Sequence, residues 1–238
     1  MKRRSFVSLF TAAPIAAGQL IRPQRSGDMR DPDQHYNEGW TSLFNGKDFG
    51  KLVVVLRAEE GKSRRFFDER MTEQSTFYIE NGLLKTTGKP NGYIRTGDVY
   101  DNFVFHVEVR FTERGNSGVL IYIQRDDVWP QAIECQLYQA HMGRIFPIQG
   151  AYLEGGEMIH ENSKPVGEWN TYEVYSEEGR VATVLNGVLI GLGGNSNPRI
   201  GHIALQAEGV PAEFRNIRVR RHAPSHILWP KGEPPRTR

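Results

Sequence analysis

From Phe103 to Phe111 the odd positions are Phe103, Phe105, Val107, Val109 and Phe111, while His106, Glu108 and Arg110 fall on even ones. Successive side chains of an extended strand point to opposite faces, so this alternation predicts a half-buried β-strand and rules out an amphipathic helix. Gly115-Asn116-Ser117-Gly118 then reads as a turn, and Val119 to Gln124, almost wholly apolar, as a second strand central in its sheet. A third strand is predicted from Ala132 to Tyr138. Its Ile133, Cys135 and Leu137 would enter a core, while Glu134, Gln136 and Tyr138 would share the opposite face. A carboxylate, an amide and a phenol in one row suit either a solvated sheet surface or a sugar-binding one.

The same punctuation continues along the chain. Phe77 to Glu80 and Leu83 to Thr86 flank Asn81-Gly82, the dipeptide suited to the positive φ angles of a type I′ hairpin turn. Further strands are predicted at Lys51 to Leu56, Tyr93 to Thr96, Trp169 to Ser176, Arg180 to Leu185, Val188 to Leu192, Ile200 to Gln206 and Glu213 to Arg220, with Glu178-Gly179 and Asn186-Gly187 as tight turns. Arg57 to Gln74 and the glycine-rich stretch Gly143 to Lys164 read as loops, and Trp169 and Phe214 as core residues. No helical period of useful length occurs, so the fold class is all-β, a two-sheet jelly-roll β-sandwich of the concanavalin A-like lectin/glucanase kind.

With 238 residues and a formal net charge of +2, the chain is large enough for one substantial core and offers no basic surface for nucleic acid. No apolar run reaches the length of about 18 residues that a membrane span needs. Residues 1–18 carry Lys2-Arg3-Arg4, an apolar Phe6 to Phe10 and small residues from Ala12 to Gly18, as an export signal does; Arg3-Arg4 resembles the twin-arginine kind. Residues 19–38 read as a polar linker, 39–221 as the β-sandwich domain and 222–238 as a proline-rich tail. The lone Cys135 excludes an internal disulfide and is expected as a buried small apolar group.

The third strand resembles that of sandwich glucanases, whose Glu-x-Asp-x-x-Glu motif carries nucleophile and acid/base. Here the register reads Glu134-Cys135-Gln136-Leu137-Tyr138-Gln139, with amides at both later positions. Retaining hydrolysis by two carboxylates therefore has no second carboxylate on this strand.

A more specific resemblance is to the 3-keto-disaccharide hydrolase family. It rests on Trp40 to Asp48, Ile79 to Leu84, Gly115 to Val119, Lys164 to Tyr172, Leu185-Asn186-Gly187 and Glu213 to Arg218, in the family's order. The resemblance implies a bacterial exported protein, periplasmic or extracellular, acting on a saccharide or glycoside already oxidised at sugar carbon 3, with a sugar 3-dehydrogenase acting upstream. A ketone at C3 acidifies the C2 proton, so a base can remove it and the enolate can expel the C1 substituent, with water adding later. That chemistry needs a base, a stabilised enolate oxygen and an acid for the leaving group, but no nucleophile.

Glu134 matches the family's Glu-x-Gln position and is the expected base. His141, past the end of the third strand, is a candidate acid or metal ligand, or a surface histidine. Glu208 stands in Leu205-Gln206-Ala207-Glu208-Gly209, where the family commonly has a histidine, and could donate a proton only with a raised pKa. Gln136, Tyr138, Tyr122, Arg95, Asn116, Lys164 and Trp129 are the expected substrate contacts: aromatic rings to stack on a pyranose, Lys164 to steady an enolate, Arg95 to hold hydroxyls. Tyr138-Gln139-Ala140 departs from the family, which tends to have an acidic residue there. No cofactor is expected, and a divalent metal stays open: His202 with Glu208, or Glu154 and Glu157 with His160, match no recognised ligand spacing. A non-catalytic carbohydrate-binding module is the alternative, and a structural domain of the cell envelope a third.

Overall fold

The computed structural model describes residues 39–57 and 76–221, all of them strand, turn or irregular, with no helix. Arg57 is described, but the rest of the expected loop up to Gln74 lies outside the described residues, as do the export signal, linker and tail. The strands are β1 (Thr41–Ser42), β2 (Val53–Leu56), β3 (Phe77–Glu80), β4 (Leu83–Thr86), β5 (Gly92–Arg95), β6 (Phe103–Phe111), β7 (Gly118–Ile123) and β8 (Ala132–Gln136). They continue as β9 (Ile145–Ile148), β10 (Tyr152–Met158), β11 (Asn170–Glu177), β12 (Arg180–Leu185), β13 (Val188–Asn197), β14 (His202–Ala207) and β15 (Ala212–Arg221).

They form two antiparallel sheets, one ordered β10-β13-β12-β11-β6-β15-β4-β3 with β1 on β15, the other β2-β5-β14-β7-β8-β9. The odd residues of β6 and the inner residues of β7 and β8 meet between the sheets: Phe103, Phe105, Val107, Val109, Val119, Ile121, Ile133 and Cys135 belong to one buried cluster. Strand β6 thus lies in the sheet opposite β7 and β8. Strand β7 is wholly buried between β14 and β8, as its continuous apolar run predicts. Three hairpin turns have the expected dihedrals, with positive φ at Asn81 and Gly82, Glu178 and Gly179, and Asn186 and Gly187.

Strands β9 and β10 correct the loop expected from Gly143 to Lys164. Each is a sheet edge, where Pro147 and Gly155-Gly156 are tolerated and the period-two pattern is lost. A Cβ on Gly156 would stand 2.2 Å from the Ile145 carbonyl oxygen, so glycine lets these two edges approach and closes that side of the sandwich.

Tyr122 corrects a second expectation. Two residues of β7 oppose one of β14 between the His202↔Ile123 and Ala204↔Leu120 pairs, and Tyr122 takes a φ of 66° there. The bulge turns its ring inward, fully buried, with its hydroxyl 2.6 Å from Ser176 Oγ on β11. It is a core residue and no platform for a sugar. Trp169 errs the other way: it lies on the outer face of the larger sheet, under the guanidinium groups of Arg110 (4.7 Å) and Arg215 (4.1 Å). Phe214 is fully buried, as expected. That outer face is an ion-pair lattice in which Lys85 Nζ lies 2.8 Å from Glu213 and Arg215 2.7 Å from Glu108.

Candidate active site

The chemistry-bearing residues gather on the outer face of the smaller sheet, at the end where β7 begins and β8 and β14 finish. Pairing sets them in rows about 4.8 Å apart from strand to strand. Arg95, Ala204, Leu120, Glu134 and Phe146 lie across one row. Tyr93, Gln206, Gly118 and Gln136 lie across the next.

Glu134 is 5% exposed in this row. Burial, then the nearby charge of Glu208, push its carboxyl up to about 8, against a smaller opposing effect of the Gln206 amide. It therefore keeps its proton at neutral pH. Glu208, just past β14 and half-buried, is also raised, by burial. The charge of Glu208 thus adds to burial in keeping the proton on Glu134, the more buried of the two. Cys135 is fully buried behind Glu134, its thiol pushed far up by burial, as fits an inert apolar group.

Gln136 is half-committed: its side-chain carbonyl accepts hydrogen bonds from the backbone N–H of Leu137 (2.9 Å) and of Tyr138 (2.8 Å). Those bonds shape the turn that leaves Tyr138 42% exposed, with its ring 5.7 Å from that of exposed His141. Asn116, before β7, has its side-chain oxygen buried without a hydrogen-bond partner, as has Gln139 in the turn after β8. Buried amides left open in this way mark a place suited to a polar ligand or water.

The remaining expected contacts are placed elsewhere or already occupied. Arg95 donates to both carboxylate oxygens of Asp126, at 2.6 and 2.7 Å, and to the Thr96 carbonyl, so its fork holds the β7–β8 loop rather than pointing free. Trp129 is exposed in that loop, at the far end of the hairpin from Gln136. Lys164 lies beside the turn after β8, since Gln139 Nε2 donates to its carbonyl at 3.2 Å; its ammonium donates to the Trp169 carbonyl at 2.9 Å. Among the described residues no three of His, Cys, Asp and Glu stand close enough to form a metal-ligand set. A separate cleft of about 320 Å³ runs between residues 41–52 and 96–100, but its Ser42 and Asn45 side chains bond within their own loop, and the Thr96 hydroxyl donates to the Asp98 carbonyl and accepts from the Ile203 N–H.

Gln206 and Gly118 escaped the sequence reading. Gln206 is 1% exposed, its amide lying over Gly118 toward Glu134. The period-two relation of Gln206 to Glu208 was the available clue, since residues two apart on a strand share a face.

Residues 39–220 match the family described as the 3-keto-alpha-glucoside-1,2-lyase-like domain. A curated relative, the 3-keto-disaccharide hydrolase of Bacteroides thetaiotaomicron, is 26% identical over 171 residues, 60% of this chain and 54% of the relative. The chain thus spans about half the length of that relative. A crystal structure from Parabacteroides distasonis, of a protein named provisionally as a glycosyl hydrolase, superposes with a TM-score of 0.60 at 19% identity, covering 82% of this chain and 99% of that one. The carbohydrate-binding module CBM66 from Bacillus subtilis gives 0.51 at 12% identity, over 76% of this chain and 95% of its own. At such identities both establish the fold alone.

Proposed function

The chain belongs to the 3-keto-alpha-glucoside-1,2-lyase-like family, and from that premise we propose that it cleaves glycosides oxidised at sugar carbon 3. The observation that carries the reading is the pair Glu134 and Glu208, two carboxyls of unequal burial at one sheet end, the more buried titrating near 8. Unequal environments on two neighbouring acids assign a proton donor and a proton acceptor. Glu134, protonated at neutral pH, is the donor and Glu208 the base, the reverse of the base role expected for Glu134 from the family's Glu-x-Gln position.

Glu208 takes the C2 proton of the substrate, and the electron pair passes toward the C3 carbonyl as an enolate. The pair then returns to form C1=C2 as the C1–O bond breaks, and Glu134 gives its proton to the departing oxygen. The product is a 2-hydroxy-3-keto sugar with a C1=C2 double bond. Water adding a hydroxyl to C1 and a proton to C2 completes net hydrolysis. Tyr138 offers a face to a pyranose, and open amides such as Asn116 suit its hydroxyls.

Export to the periplasm or beyond, supported by residues 1–18, and an upstream sugar 3-dehydrogenase belong to the same proposal. A non-catalytic carbohydrate binder is the second reading, favoured by the near-complete burial of Glu134. An NMR time course of the protein with a 3-keto glucoside, beside Glu134→Gln and the unoxidised glucoside, decides between them. Release of the aglycone or build-up of the unsaturated keto sugar by wild type, with turnover in the variant down about 10²-fold or more, supports the enzyme. Resonances that shift without turnover would make the chain a binder.

A further inference from the structure

We propose that Gln206 is a positioning residue: its side-chain amide, laid across the bare backbone of Gly118, orients the Glu134 carboxyl for proton transfer, and Gly118 is the gap that permits it. The proposal rests on the reading of Glu134 as the proton-transferring group. Gln206 on β14 and Glu134 on β8 are not neighbouring strands; β7 runs between them. With any side chain on β7 at this point they would be kept apart. A Cβ on Gly118 would stand 2.2 Å from Gln206 Oε1 and 3.1 Å from Glu134 Oε1, so both side chains occupy the space over this one residue. Gly118 has no positive φ to explain it; the requirement is space.

The amide itself is otherwise uncommitted. Gln206 is 1% exposed, and neither its nitrogen nor its oxygen makes an aligned hydrogen bond, although it lies close enough to favour the ionised form of Glu134. A buried amide is costly to leave open unless something it faces uses it. Once Glu134 loses its proton, the amide N–H can donate to the new carboxylate, and a carboxyl tilted toward Gln206 presents a fixed edge to the substrate. The titratable groups that feel Glu134 are Glu208 past β14, the Cys135 thiol on its own strand and the Tyr172 phenol from β11. The last two are held neutral by burial, which leaves Gln206 and Glu208 to set its behaviour.

Two variants of the full chain test this, with side-chain carboxyl ¹³C NMR titrations of Glu134 in the resting protein and pH profiles of kcat/KM on a 3-keto glucoside. Gln206→Leu removes the amide at similar volume. Gly118→Ala keeps the amide but drives its flexible end aside, and so remains informative if Gln206→Leu does not fold. Expected is an upward shift of the Glu134 midpoint on the order of one pH unit in Gln206→Leu, a smaller one in Gly118→Ala, and a matching move of the pH profile. A midpoint unchanged from wild type in the variants that fold overturns the proposal. Midpoints that move in a protein that turns nothing over sustain the Gln206 role and sink the enzymatic reading.

Discussion

The hydroxyl of Tyr122 lies 2.6 Å from Ser176 Oγ, a buried polar contact that links β7 of the smaller sheet to β11 of the larger one. Ser176 in turn donates to the Asp101 carbonyl, so neither hydroxyl is left open. Burial pushes the phenol up to about 12, against the bonds it makes, so it stays neutral at neutral pH.

Tyr122→Phe keeps the ring and its edge-on contact with Phe103 at 6.3 Å but removes the bond. A loss of about 1–2 kcal/mol in urea unfolding is expected, with an unchanged m-value. Since the ring is far from the outer face, KM for a 3-keto glucoside should stay at the wild-type value. A large rise in KM would return Tyr122 to the substrate site.

Glu134 makes stability depend on pH in a calculable direction. Its carboxyl titrates near 8 when folded and near 4.5 in the ordinary state, so between these values the folded protein holds a proton that the unfolded chain has lost. Stability must therefore fall as pH rises from about 4.5 to about 8, and stay reduced above. Glu134→Gln has no such titration. Relative to wild type it should gain stability across that window, by up to roughly 5 kcal/mol above pH 8. Unfolding curves at pH 5 and pH 9 measure it, and an equal difference at both would mean that Glu134 ionises normally.

Tyr138 is an aromatic ring at the site open to solvent, 42% exposed and tilted against His141. If it stacks on the substrate alike in ground and transition states, Tyr138→Ala raises KM about 5- to 10-fold and leaves kcat nearly unchanged. Loss of kcat with constant KM would place the ring at the reacting centre instead.

Much of the sandwich could be read from local rules. Alternation in Phe103 to Phe111 and the glycine turns at Asn81-Gly82, Glu178-Gly179 and Asn186-Gly187 state which residues face inward and where the chain reverses, because strand period and positive-φ turns are properties of a few consecutive residues. The common face of Glu134 and Gln136 follows from the same period. What failed was of another kind. The bulge that turns Tyr122 inward exists because β14 offers one residue against two. Edge strands β9 and β10 need only a partner on one side, so their Pro147 and Gly155-Gly156 hide them. Trp169 found two arginines from β6 and β15 that no local pattern announces.

The chain's own order of residues thus determined an all-β sandwich, its turns and the strand that carries Glu134, since these depend on side-chain alternation and backbone dihedrals within short segments. Only the tertiary structure decided that Glu134 keeps its proton to about pH 8, that Glu208 lies near enough to raise it, and that Gln206 reaches it over Gly118. Those outcomes are set by burial and by charge across strands some 70 to 90 positions apart in the chain, which no local pattern can encode.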